Sequence, residues 1–262
     1  MTEESKDLLR VAAENLITAY ETLEPIPPLR DQIPDMTVTD AYRVQRLQDE
    51  WMTRGRGPLV GHKIGLTSKA MQEQLNVDSP DFGVFTRDML HHDNAHIPAS
   101  GFISPKVEPE FAFVLDKDLT GPNVTIDDAR AAIGTVHAAI EIIDSRIQNW
   151  DITLVDTIAD NASCGAVAMS KQPLDLSPYR LATITCSLSI DGTVVGQGTG
   201  ADVLGDPVAP VAWLANVLTE NGSGLSAGDI VLPGSFCAAA PVTAGTTATA
   251  DYGGFGALTI SF

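Results

Sequence analysis

Glu108 and Glu110 carry the first chemical signal in this chain, in the stretch Val107-Glu-Pro-Glu-Phe-Ala-Phe. Side chains alternate across a strand, so Glu108, Glu110, Ala112 and Val114 share one face. Val107, Pro109, Phe111 and Phe113 take the other. The two carboxylates then stand roughly 7 Å apart along the chain. Like charges so near repel unless water screens them or a cation lies between them. A solvated strand face is the ordinary home of a Glu-x-Glu pair. Here the same face continues as Ala112 and Val114, which need no water. A third carboxylate, Glu141, is set in the apolar run Ala138-Ala-Ile-Glu-Ile-Ile, where an unpaired charge is costly. The three offer hard oxygen ligands, with no Cys or His at transition-metal spacing nearby. They suit Mg²⁺, Ca²⁺ or Mn²⁺ better than Zn²⁺. Three protein ligands leave about three octahedral positions for water or substrate, the pattern of a catalytic site.

Other candidates are weaker one by one. Lys63 lies between Gly61 and Gly65, which allow close backbone approach. A lysine near three glutamates stays charged and can hold an anion. His62, of opposite parity, points elsewhere. Asp81, in Asp78-Ser-Pro-Asp-Phe-Gly, reads as a turn aspartate. Asp160-Asn-Ala-Ser-Cys-Gly reads as an Asx turn, or as a source of substrate hydrogen bonds from Asn161 and Ser163. The histidines of His91-His-Asp-Asn-Ala-His are accounted for by a hydrated loop. No Gly-x-Gly-x-x-Gly joins a strand to a helix, which disfavours a dinucleotide fold.

The elements that must place these residues are mixed. Residues 4–21 have the period of an amphipathic helix, with Leu8, Leu9, Val11, Ala12, Leu16, Ile17 and Tyr20 on its apolar stripe. Glu24-Pro-Ile-Pro-Pro stops it. A second helix opens near Thr39, with Thr37 or Thr39 as N-cap, and runs to about Thr53. Leu59 to Thr67 reads as a strand, followed by a short helix over Lys69–Leu75 capped by Ser68. Thr125 to His137 reads as a helix, with Thr125 and Asp128 as a capping-box variant. Another helix is expected from Pro207 to about Glu220. Ser187 to Gly196 is a hairpin turning at Asp191-Gly192, and the C-terminus from Ala248 is a second one. The fold class is α+β, with a helical N-terminal subdomain at 1–57 and a β-rich catalytic domain at 58–262.

Composition sets limits. The 262 residues carry a formal net charge of −18, which disfavours nucleic acid and anionic membranes as partners. An anionic substrate would need a local cation. The acidic start Met-Thr-Glu-Glu-Ser-Lys has no apolar leader and no run approaches a membrane span, so a cytoplasmic protein is expected. Cys164, Cys186 and Cys237 suit neither a disulfide framework nor a zinc site.

Several motifs occur in order: Gly61-His-Lys-Ile-Gly-Leu-Thr-Ser-Lys-Ala, Pro80-Asp-Phe-Gly, Pro105-Lys-Val-Glu-Pro-Glu-Phe-Ala-Phe, Glu141-Ile-Ile-Asp-Ser-Arg-Ile-Gln-Asn-Trp and Asp156-Thr-Ile-Ala-Asp-Asn-Ala-Ser-Cys-Gly. Together with Gly228-Asp-Ile-Val-Leu-Pro-Gly-Ser, this set resembles the 2-keto-4-pentenoate hydratase family of the fumarylacetoacetate hydrolase-like fold, from about residue 35 to the end. The resemblance implies a mixed β-sheet roll, Mg²⁺ or Mn²⁺, and a 2-oxo acid or its enol as substrate. It implies Glu108, Glu110 and Glu141 as metal ligands, Lys63 and Asp81 as the substrate-binding and proton-transfer pair, and Ser163 as a further active-site group. The reaction it implies is addition of water to 2-hydroxypenta-2,4-dienoate in meta-cleavage degradation of aromatic compounds. The alternative is a 4-oxalocrotonate decarboxylase or another 2-oxo acid carbon–carbon lyase of the same family. The family also implies a homo-oligomer and association with a downstream aldolase or a related decarboxylase. Pro109 departs from the usual Ala or Gly between the two glutamates. A dicarboxylate would need a second cation, for which Arg87 and Arg146 are the spare arginines, with Asp144 as a structural partner for Arg146.

Overall fold

The first helix, α1 (Glu3–Thr22), buries Leu9, Ala12, Ala13, Leu16 and Ala19, a repeat of three and four residues along one face. Leu8 and Val11, expected on that stripe, are exposed. The proline linker leads to a single turn, α2 (Leu29–Gln32). Thr37 then caps α3 (Val38–Leu47), with Asp40 completing a capping box. The one helix expected to reach Thr53 is two, because the chain breaks at Gln48 before α4 (Asp49–Arg56). The buried amide of Gln48 donates to Val44 and Ala159, anchoring that break to the body of the protein. The computed structural model describes residues 3–68, 72–73, 77–178, 180–220 and 222–262. The helix expected over Lys69–Leu75 falls largely outside these.

Two sheets follow. The larger contains β1 (Leu59–Gly65), β2 (Asp81–Thr86), β3 (Leu90–His92), β4 (Lys106–Leu115), β5 (Ile133–Ile143), β6 (Cys164–Met169), β9 (Ile230–Leu232) and β10 (Ala240–Pro241). Its order is β2-β1-β9-β4-β5-β6-β3, with β10 beside β4; β1/β9 and β3/β6 are parallel and the other pairs antiparallel. The smaller sheet has the order β12-β11-β7-β8, from β7 (Thr185–Ile190), β8 (Thr193–Thr199), β11 (Thr247–Asp251) and β12 (Ala257–Ser261). Both expected hairpins are present. Asp191 and Gly192 have φ of 50° and 78°, the left-handed pair that a two-residue hairpin turn requires.

The helix expected from Thr125 to His137 is α5 (Ile126–Ala132) alone. Its capping box forms as expected, but Ile133, Gly134, Thr135 and Val136 are poor helix formers, and the chain continues directly into β5. Pairing with β4 decides the matter. His91 and His92 lie in the edge strand β3, where a loop was expected, and His92 Nδ1 contacts the Met169 carbonyl.

The large sheet curls until β2 meets β6. Its outer face packs Phe111, Phe113, Val136 and Ile140 under α5, the helix α7 (Ala209–Glu220) and the smaller sheet. Phe111 sits among the rings of Phe113, Phe236 and Tyr252; truncating such a residue costs about 3–5 kcal/mol. The inner face holds a separate cluster with Phe85, Ala112, Ala139, Val167 and Leu232. The N-terminal helices close over α6 (Leu154–Ala159), sharing a core of Leu9, Leu16, Leu29, Val44 and Ile158. Asp156 fixes that contact by accepting from the Leu29 amide at 2.7 Å and pairing with Arg30 at 2.7 Å. The chain is therefore an α+β mixed-sheet roll with a helical N-terminal stretch. No helix of the described residues is long and apolar enough to cross a membrane.

Candidate metal centre and active site

β4 and β5 pair so that Glu108 faces Glu141 and Glu110 faces Ala139. Carboxylate oxygens of Glu108, Glu110 and Glu141 lie within 4.8 Å of one another. That is about twice the 2.0–2.6 Å bond of a hard divalent cation to oxygen. Glu110 and Glu141 are buried, and Glu108 keeps a solvent edge. Glu110 Oε2 accepts from the Gly234 amide at 2.7 Å, which fixes its rotamer and leaves the other oxygen for the cluster. Gly234 has φ of 121°, and a Cβ there would stand 1.8 Å from Thr67 Oγ1, so glycine is required. Among the described residues neither oxygen of Glu141 receives a hydrogen bond from a backbone amide or hydroxyl. Burial, reinforced by Glu141, pushes Glu108 up to about 7. Burial and the same neighbours raise Glu110 well above the usual carboxylate range, and burial also raises Glu141. Three buried or half-buried carboxylates of like charge, two of their oxygens short of hydrogen-bond donors, fit a divalent cation as their partner.

Pro109 suits this place. Its carbonyl accepts from the Phe236 amide at 3.0 Å, while its missing N–H leaves no donor unpaired.

Lys63 is buried on β1. Its ammonium donates to the Ala162 carbonyl at 2.8 Å and lies 3.4 Å from Glu141 Oε1. Burial alone would lower this group; Glu141, then Asp81 and Glu108, outweigh it and hold the lysine charged. Asp81 is not in a turn. It opens β2 opposite Gly65, is buried, and accepts from Thr157 Oγ1 at 3.3 Å. Among the described residues no side chain donates to its Oδ1. Burial raises Asp81, with Lys63 opposing. A Cβ on Gly65 would stand 2.2 Å from Asp81 Oδ1 and 3.3 Å from Lys63 Nζ. The glycine thus makes room for the proton-transfer candidates.

Asn161, Ala162 and Ser163 all lie in the left-handed region, with φ of 53°, 49° and 56°. Non-glycine residues there cost on the order of 1–3 kcal/mol each. The turn is held by its contacts. Asn161 Nδ2 donates to the Val84 carbonyl and its Oδ1 accepts from the Val84 amide, each at 2.8 Å. One N–H and the oxygen of the Asn161 carboxamide are thus engaged with β2, which gives this side chain a structural anchor. Ser163 Oγ lies 3.5 Å from Thr157 Oγ1, which connects it to Asp81. Arg146 does not pair with Asp144. Its Nε lies 2.5 Å from Asp160 Oδ1, its Nη2 donates to the Asp160 carbonyl, and the Tyr20 ring covers it at 4.2 Å. Asp144 instead accepts from the amides of Ile103 and Ser104.

Sequence reasoning missed Thr157, Gly234 and Lys106. Thr157 stood in a quoted motif without a role, and its link to Asp81 is a tertiary contact. Lys106 was legible: it has the strand parity of Glu108 and Glu110. Its ammonium stands 4.1 Å from the centre of the Trp150 ring. His62 points away from the cluster, towards Phe82, and burial lowers it to about 4.

Known proteins resemble this chain along its length. Residues 60–262 match the model of the family described as fumarylacetoacetate (FAA) hydrolase C-terminal. The chain is 40% identical over 250 residues to a 2-keto-4-pentenoate hydratase of Burkholderia vietnamiensis, covering 95% of each. It is 40% identical over 260 residues to the 2-oxo-hept-4-ene-1,7-dioate hydratase of Escherichia coli, covering 95% of this chain and 96% of that one. Among solved structures, the 4-oxalocrotonate decarboxylase of Pseudomonas putida G7, complexed with magnesium and adipate, superposes with a TM-score of 0.94 at 33% identity, covering 100% of this chain and 98% of that one.

Proposed function

The chain belongs to the fumarylacetoacetate hydrolase family, among its 2-keto-4-pentenoate hydratases, and from that premise we propose a metal-dependent hydro-lyase that adds water to a 2-hydroxy-2,4-dienoate. The observation that carries the chemistry is the buried cluster of Glu108, Glu110 and Glu141 beside Lys63 and Asp81. The preferred substrate is 2-hydroxypenta-2,4-dienoate and the product 4-hydroxy-2-oxopentanoate, a step of aromatic meta-cleavage degradation.

Glu108, Glu110 and Glu141 would hold the cation, Mg²⁺ or Mn²⁺. When bound, it polarises the 2-oxo acid and offsets negative charge on the C2 oxygen. Lys63 stays charged and contributes to the same field. Asp81 is the acid–base group: among the described residues its buried Oδ1 has no hydrogen-bond partner, and burial shifts the carboxyl upward with Lys63 opposing. Three transfers are needed. The enol proton leaves the C2 oxygen while C5 gains one, giving the conjugated ketone. Water then adds at C4, and C3 takes a proton. Thr157 holds Oδ2 of Asp81 in place, and Ser163 reaches the same side. Asn161 acts as a positioning residue, because its clamp on Val84 aims the Ala162 carbonyl at Lys63.

Decarboxylation of 4-oxalocrotonate is the second reading, favoured by the TM-score of 0.94 to that enzyme. Both need the same charge stabilisation at C2, so the fold does not choose between them. The test is incubation of the protein and Mg²⁺ with 2-hydroxypenta-2,4-dienoate, following the dienol absorbance and identifying the product. Carbon dioxide is measured in parallel from the six-carbon 2-oxo dicarboxylate. Loss of the dienol without CO₂ release from the dicarboxylate supports the hydratase. Faster CO₂ release replaces it with the decarboxylase.

A further inference from the structure

We infer that Lys106, braced by Trp150, is the cation that captures the substrate's carboxylate end at the rim of the glutamate cluster. The inference rests on the 2-oxo acid reading above. Lys106, Glu108 and Glu110 alternate onto one face of β4, and exposure falls along that row: Lys106 and Glu108 are half-buried and Glu110 is buried. Lys106 therefore stands at the solvent end of the cluster. The other nearby cations are engaged: Lys63 with Glu141 and the Ala162 carbonyl, Arg146 with Asp160. Among the described residues Lys106 has no ion pair; its ammonium rests on the Trp150 ring at 4.1 Å. That contact orients a flexible side chain and leaves its remaining N–H donors for an anion. Trp150 is itself set for this. Asn149 and Trp150 are held at φ of 59° and 56°, and Trp150 Nε1 donates to the Ser104 carbonyl at 3.1 Å, just upstream of Lys106.

The position of the proton-transfer groups points to the end of the substrate that Lys106 meets. Asp81, Thr157 and Ser163 lie on the inner side with Lys63. The carbons that exchange protons must reach them, so the carboxylate end is left on the outer side, where Lys106 stands. In a chain of net charge −18, such a cation also gives an approaching anion a local attraction.

The test compares wild type, Lys106→Met and Lys106→Arg in two assays. One measures oxalate affinity by calorimetry at saturating Mg²⁺; the other separates KM from kcat for 2-hydroxypenta-2,4-dienoate. Lys106→Met should raise both the oxalate Kd and KM about tenfold, the scale of one charge-assisted hydrogen bond. It should leave kcat within about twofold and not weaken Mg²⁺ binding, and Lys106→Arg should restore most of the loss. Unchanged oxalate affinity overturns the inference. So does a fall in kcat at constant KM. If wild type fails to turn over the dienoate, the proposed function falls, while the oxalate assay still decides the role of Lys106.

Discussion

Glu108 and Glu141 face each other directly across β4 and β5, an opposition that destabilises a sheet when both carry charge. In the metal-free protein burial, then Glu141, pushes Glu108 up to about 7. A carboxylate raised in the folded state contributes stability that is fully present below its unfolded value. That stability is lost as pH rises through the folded value. The metal-free protein should therefore be more stable at pH 5.5 than at pH 8 by about 2 kcal/mol, and melt at a correspondingly higher temperature. Saturating Mg²⁺ should stabilise mainly at pH 8 and narrow the gap. Glu141→Gln should reduce the pH dependence without metal, leaving the part due to burial, and abolish the gain from Mg²⁺. Thermal melts in chelator and in Mg²⁺ check this; equal Mg²⁺ stabilisation of wild type and variant would remove Glu141 from the ligand set.

A second prediction concerns the space around Asp81. Gly65→Ala puts a Cβ where Asp81 Oδ1 now stands, 2.2 Å away. Gly65 ends a regular strand and its φ is not left-handed, so the backbone tolerates alanine and the carboxylate must move. Activity should fall on the order of a hundredfold, as for a displaced catalytic group. Mg²⁺ affinity by calorimetry should stay near that of wild type. Full activity in Gly65→Ala would mean that Asp81 acts from another position, or not at all.

The glutamate cluster was legible because strand parity is a local rule and because a glutamate inside Ala138-Ala-Ile-Glu-Ile-Ile is costly without a partner. Thr125 and Asp128 correctly marked the start of α5. Its end was not legible, because pairing of Ile133–Ile143 with β4 overrides the local period. Asp81 read as a turn residue because Asp78-Ser-Pro-Asp looks like one locally; only pairing of β2 with β1 makes it a strand end. The partner of Arg146 was misread for a similar reason. Asp144 is nearer in sequence, but its carboxylate is taken by the amides of Ile103 and Ser104, and the Asp160 carboxylate meets the guanidinium instead.

The Arg146–Asp160 pair yields a third prediction. Arg146 is fully buried, with its guanidinium on the Asp160 carboxylate and carbonyl. Arg146→Met leaves Asp160 buried without its cation and should cost about 3–5 kcal/mol. Replacing both, as Arg146→Met with Asp160→Asn, should recover part of the loss, because no buried charge is then left alone. Urea unfolding of the two variants and wild type gives the comparison. A double variant as unstable as the single one would show that the guanidinium's contacts with the Tyr20 ring and the Asp160 carbonyl matter more than charge pairing.

Asp81→Asn separates holding the substrate from moving its protons. Asparagine keeps the size of the side chain and can still accept from Thr157 Oγ1 through its carbonyl. It cannot carry a transferable acid proton. Burial raises Asp81 while Lys63 opposes that rise; the wild-type carboxyl has an acid proton to exchange and the amide does not. The variant should therefore bind oxalate in Mg²⁺ about as well as wild type. It should lose on the order of 10²–10⁴-fold in kcat, the range expected for a general acid–base group. The pH dependence of kcat should lose the limb that Asp81 contributes. Solvent deuterium should enter C3 and C5 of the product during wild-type turnover, with incorporation at both positions slowed together in the variant. If deuterium still enters C5 at the wild-type rate while hydration stops, Asp81 serves only water addition, and another group, with Ser163 the nearest candidate through Thr157, carries the first proton transfer.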